Sequence, residues 1–247
     1  MSSKTQDIDG WAGDDASKVM IDLLTESEDP RLRVMFEPGA NAGGTYEGVN
    51  QLLNGNDQQS MINDGLIAFY NRSTYSENQY FPGVLINAAE VSFIKAEHLI
   101  KSGNDAAAKT AYEEGIKQSI EFYYAVRAGS NSSISGNPDQ PSAAEISNLL
   151  ESEPVNWDNA SSQEEKIALI GMQKWLHFNI VQPYQNWAEV RRLGVPNLTF
   201  WVDNSSNQTT PPVRWEIPGE ELTYNGANYE AVRSSDDLNN KIFWDVN

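Results

Sequence analysis

The chain has 247 residues, enough to bury a full core, and carries 35 acidic against 17 basic side chains for a formal charge of −18. That excess argues against nucleic acid or an anionic membrane surface as partner, because both need a basic face. Cysteine is absent, which excludes disulfides, thiolate metal sites and a cysteine nucleophile.

No apolar run approaches the roughly 20 residues that cross a bilayer. The opening MSSKTQDIDGWAGDD is polar and lacks the apolar centre of a signal peptide, so the chain as given is expected to be soluble. In chain order, the first predicted element is a short helix over Ala16 to Leu24, ended by the turn ESEDPRL. Asn, Gly, Ser and Gln dominate from Asn41 to Gln59, which reads as loops.

Ile86, Ala89, Phe93, Ala96 and Ile100 then recur at steps of three and four, the spacing of an amphipathic helix. Gly103 and Asn104 end it. A second helix is predicted from Asp105 to Val126, with Ala108, Tyr112, Ile116, Ile120 and Tyr123 along one face. Small residues at Ala96, Ala108 and Gly115 let the two backbones approach, and larger neighbours fill between them. The pattern is that of one tetratricopeptide-like helical hairpin.

Ala128 to Asn159 is rich in Ser, Asn, Pro and Gly, with a short helix expected at Ala143 to Leu150. Ser162 and Glu165 have capping-box spacing, and the helix they open carries Ile167, Ile170, Gly171, Trp175 and Phe178. It must yield or kink near Pro183 and continue as Tyr184 to Leu193, ended by Gly194 and Pro196. Beyond Asn197 the periodicity fades, and an irregular coil with one or two short strands is expected to wrap over the helices.

The segment QKWLHFNIVQPYQNWAEVRRLGVPNL resembles the C-terminal motif of the SusD/RagB family, in its SusD-like branch. Gln173, Lys174 and Trp175 meet the first part of that motif. Trp187, Glu189, Arg191, Arg192, Gly194 and Pro196 meet the second. AAEVSFIKAEHLIKSG is similar to the family's central hairpin helix, and Arg214, Pro218 and Glu221 followed by LNNKIFWDVN resemble its closing segment. The three pieces stand in the expected order over Pro82 to Asn247.

The resemblance implies a mainly α fold of tetratricopeptide-like hairpins with long irregular loops and a coil-rich C-terminal wrap. It implies one domain over 1–247: a loop-rich segment at 1–82, a helical scaffold at 83–196 and an irregular tail at 197–247. Family members are considerably longer and begin with a signal peptide and a lipid-bearing cysteine. Both are missing here, so the first 80 residues would correspond to the middle of a family member.

The implied function is cell-surface binding of an oligo- or polysaccharide at the outer membrane, in company with a SusC-like TonB-dependent porin. Membrane attachment would run only through a lipid anchor absent from this chain. No cofactor and no chemistry on the ligand are implied. A carboxylate-based glycan hydrolase and a helical-repeat scaffold for protein partners stand as alternatives.

On a helix, Trp187 and Arg191 lie four apart and can stack, while Glu189 and Arg192 lie three apart and can pair. A general-acid role for Glu189 would need a second carboxylate near it in space, and none is near in sequence. The cluster therefore reads as a clasp tying this helix to the tail. Glu220 and Glu221, adjacent in an extended segment, would point opposite ways, which opposes a glycosidase pair. Neither His98 nor His177 has zinc-ligand spacing. Asp14–Asp15 and Asp236–Asp237 lack the alternation of a calcium loop and read as exposed charges.

Sugars offer apolar C–H faces edged with hydroxyls, so flat rings flanked by polar side chains are the candidate ligand contacts. These are Trp157 with Asp158, Trp201 with Asp203, and Tyr46 in a Gly-rich loop. Each ring could equally be tucked onto the scaffold, since most aromatic area is buried.

Overall fold

The computed structural model describes residues 15–201 and 212–243. Ser17 accepts from the Met20 amide and starts α1 (Lys18–Glu26), two residues beyond its expected start. Met20, Ile21 and Leu24 turn inward. After a tight turn, α2 (Leu32–Met35) leads into β1 (Phe36–Glu37), which pairs antiparallel with β2 (Phe69–Tyr70), Phe36 opposite Tyr70.

Between the strands, the stretch expected to be loop holds a surface helix, α3 (Gly55–Asn63). Its cause is local: Asn54 accepts hydrogen bonds from the Asn56 and Asp57 amides, an N-cap that needs no apolar stripe. None of its residues is buried.

The hairpin follows as α4 (Ala88–Lys101) and α5 (Asp105–Ala128). Asn87 caps α4 through the Glu90 amide, so Ile86, expected on the apolar stripe, falls outside the helix and stands 62% exposed. Phe93, Ala96 and Ile100 are buried against Ala108, Tyr112 and Ile116. A Cβ on Gly115 would stand 2.6 Å from the Phe93 ring, which is why glycine occupies that crossing. Burying Phe93 stabilises the hairpin by about 2 to 3 kcal/mol.

Two capping boxes start the next helices, Ser142 with Glu145 for α6 (Ala143–Glu151) and Ser162 with Glu165 for α7 (Gln163–Phe178). Of the two outcomes expected near Pro183, the helix yields: α7 stops at Asn179, whose φ of 38° breaks the ladder, and Pro183 opens a separate helix, α8 (Pro183–Leu193). A proline at the first helical position has no amide hydrogen to leave unbonded. Gly194, in the left-handed region at φ 65°, ends α8.

The tail differs from the expected strands and coil. Its described part folds as two short helices, α9 (Gly219–Tyr224) and α10 (Gly226–Val232), then a single 3-10 turn at Arg233–Ser235. Glu220 and Glu221 are thus helical, not extended, and neither is buried.

The core contains a polar knot. Arg31 is fully buried; its guanidinium takes both oxygens of Asp29 (2.6 to 3.1 Å), Ser119 Oγ on α5 (3.0 Å) and Gln173 Oε1 on α7 (2.7 Å). A buried charge is tolerable only with such full pairing.

Candidate functional site

The motif helix α8 shows both local pairings expected of it. The Arg191 guanidinium lies 4.4 Å from the Trp187 ring centroid, and Arg192 donates to Glu189 at 3.0 and 2.6 Å. Gly171 on α7 makes room for the helix, since a Cβ there would stand 2.9 Å from Leu193 Cδ1.

A second carboxylate does lie close in space. Glu97 on α4 accepts from Arg192 at 2.6 and 2.7 Å and from Lys101 at 2.7 Å. Lys174 on α7, almost wholly buried, reaches Glu189 at 2.9 Å and Glu97 at 3.5 Å. Burial alone would raise the Glu97 carboxyl, but the hydrogen bonds from Arg192 and Lys101 prevail and lower it to about 2. Glu189 shows the same contest, burial against Arg192 and Lys174, and is also lowered. Two acids held ionised between shared cations cannot deliver a proton to a glycosidic oxygen, so this pair is a clasp.

Arg192 turns to α4 and so binds α8 to the hairpin. Ring contacts between α8 and the tail are made by Trp187, which meets the Trp215 ring edge-on at 5.9 Å, and by Tyr184, 6.5 Å from the same ring. Arg214 stays within the tail, donating to the Trp215 and Ser235 carbonyls at 3.1 Å and facing Asp236 at 3.5 Å. Asp236, expected to be an exposed charge, is buried at that contact and also accepts from the Ile217 amide and the Tyr229 hydroxyl. Pro218 precedes α9, and Glu221 accepts from Asn225 at 2.8 Å.

The expected ligand contacts separate. Trp157 is 1% exposed: its ring lies 5.2 Å from Tyr112, Lys166 lies over it, and its indole N–H donates to Asp105. Of the two readings of this residue the tucked ring holds and the ligand contact does not, because the polar flank hides a ring inserted into the core. Asp158 stays at the surface, paired with Lys109 at 2.6 Å. Tyr46 is partly buried against the core. Trp201 is 43% exposed beside the similarly exposed Phe200, and its amide is pinned to the Gln51 carbonyl at 2.8 Å. Asp203 lies outside the described residues.

Sequence reasoning missed a groove of about 720 Å³ between the start of α8 and the tail. Its walls bring Tyr184 and Trp187 of α8 against Arg214, Trp215, Glu216 and Pro218. The signal for it is the aromatic pair bracketing the first turn of α8, together with Trp215 in a proline-rich stretch of the tail. His177 is buried elsewhere, hydrogen-bonded to Ser119 and Asn87. Among the described residues, no group of three or more acids or histidines could hold a metal ion, and no helix is long and apolar enough to cross a membrane.

The described residues thus form a helical-hairpin platform that carries irregular segments with exposed rings. Residues 2–218 match the SusD-like family model described as starch-binding and associating with the outer membrane, and the chain belongs to that family. Two SusD homologues from Bacteroides fragilis NCTC 9343 share the fold, each with a TM-score of 0.74. One is 24% identical and covers 92% of this chain and 51% of its own. The other is 22% identical and covers 94% and 52%. A chitin-binding protein matches at a TM-score of 0.71 and 22% identity, covering 94% of this chain and 50% of its own. The chain thus spans about half the length of these solved relatives. No curated protein matches the chain.

Proposed function

We propose that this chain is a glycan-binding module of the bacterial outer surface that captures an oligo- or polysaccharide without altering it. Membership of a family described as starch-binding carries this reading. The neighbouring chitin-binding protein agrees with a saccharide ligand, and the clasped state of Glu97 and Glu189 agrees with the absence of chemistry. The bound glycan is passed to a TonB-dependent porin of the SusC kind at the outer membrane.

Trp201, displayed and anchored by its own backbone, is the loop ring best placed to stack on a sugar. Tyr46 contributes its half-buried face, and Asp203 follows Trp201 closely enough in sequence to supply a hydroxyl acceptor. A panel of soluble polysaccharides in affinity gels, run beside a reducing-sugar assay, tests the reading. Retardation without new reducing ends supports it. Release of reducing ends overturns it in favour of a hydrolase.

A further inference from the structure

We infer that the groove between α8 and the tail is a further glycan site, selective for neutral sugar rings over carboxylated or sulfated ones. The inference rests on the glycan-binding reading above and adds to it a place and a ligand class. Tyr184 is 70% exposed and Trp215 67% exposed, their ring centroids 6.5 Å apart with planes 37° from each other. Two large rings left exposed next to each other, one from α8 and one from the tail, are a feature that marks binding surfaces. A pyranose presents an apolar C–H face of matching shape.

The rings stand on a rigid base. Trp187 meets Trp215 edge-on from below, and its own face is covered by Arg191, so it acts as a support and leaves Trp215 as the platform. On the tail side the Val213 amide bonds the Leu238 carbonyl at 2.9 Å, and Asp236 receives both the Ile217 amide and the Tyr229 hydroxyl. A preformed wall spares the ligand the cost of ordering it. The volume suits a short stretch of sugar rings.

Charge decides the class of occupant. Among the described lining residues Arg214 is the single cation, and two carbonyls and the Asp236 carboxylate already engage it. The other charged lining residue is Glu216, exposed at the rim and able to accept from sugar hydroxyls. A uronate or sulfate would meet Glu216 and the field of a chain at −18, with no uncommitted cation among the described lining residues to neutralise it. The same field opposes a second copy of the chain as occupant.

The test titrates the full chain by calorimetry with amylopectin, xyloglucan and chitohexaose as neutral probes. Polygalacturonate serves as the carboxylated probe and a proline-rich peptide as control. Trp215→Ala and Tyr184→Ala each weaken the best neutral probe by about tenfold, and Trp215→Phe restores most of the loss. Both side chains are exposed, so the thermal midpoint stays unchanged and certifies folding. Polygalacturonate binds more weakly than the neutral probes.

If glycans bind but neither variant changes their affinity, the groove assignment falls while the glycan reading stands. Tightest binding by polygalacturonate, lost in Trp215→Ala, overturns the neutral selectivity. Peptide binding that no neutral glycan displaces gives the groove to a protein partner. If the wild-type chain binds none of the neutral probes, the functional reading falls and takes the groove's assignment with it.

Discussion

Arg192 grips Glu97 with two nitrogens, at 2.6 and 2.7 Å, although 95 positions separate the two residues. The contact joins the last turn of α8 to the last turn but one of α4, and Lys174 of α7 closes the triangle. Three helices are therefore cross-braced by charge where their apolar faces end.

Removing one member should cost far more than a surface ion pair would. Lys174→Met removes the buried cation and leaves Glu97 and Glu189 sharing Arg192, and is expected to lower unfolding free energy by roughly 2 to 3 kcal/mol. Urea denaturation followed by circular dichroism measures it. A loss below about 1 kcal/mol would show the brace to be ornamental.

Acid should unfold the protein in two overlapping stages. Burial, with Arg31 adding to it, depresses His177 to about 3 from the ordinary 6.5, so the unfolded imidazole takes a proton that the folded one refuses. Its contribution is whole above pH 6.5 and fades as pH falls towards 3. Glu97, lowered to about 2 from 4.5, contributes fully above 4.5 and is lost as pH falls through 2. His177→Gln should flatten the first part of a stability–pH curve and Glu97→Gln the second. Curves identical to wild type would refute the assignment.

Gly115 sets the hairpin spacing. Gly115→Ala places a methyl 2.6 Å from the buried Phe93 ring and is expected to destabilise by about 1 to 3 kcal/mol despite alanine's better helix propensity. Phe93→Leu in the same chain should recover part of the loss. A thermal midpoint that rises in Gly115→Ala alone would contradict the packing.

Trp157 separates core from recognition. Trp157→Ala should cost about 3 to 5 kcal/mol by opening a cavity beside Tyr112. At temperatures where the variant is folded, its glycan affinity should equal that of wild type by calorimetry. A selective loss of affinity would return this ring to the ligand surface.

The hairpin, the Ser162–Glu165 capping box and the Trp187–Arg191 stack were legible because each depends on residues three or four positions apart. The Glu97 partnership was not, although Glu97 falls within a segment that resembles the family, because an ion pair between distant helices leaves no local period. Asn54 hid its cap in a stretch rich in similar residues. Trp157 looked displayed from its neighbours Asn156 and Asp158, whereas its environment is set by Tyr112 and Asp105 on a remote helix. The groove escaped notice for the same reason, since Tyr184 and Trp215 meet only after the tail has folded back.

Arg31 fastens the turn after α1 to both α5 and α7 through a single guanidinium, away from every displayed ring. On the proposed function, specification of the platform and recognition by its periphery draw on different residues. New saccharide preferences can be sought by rewriting the aromatic segments alone, with the interior left as a constant chassis.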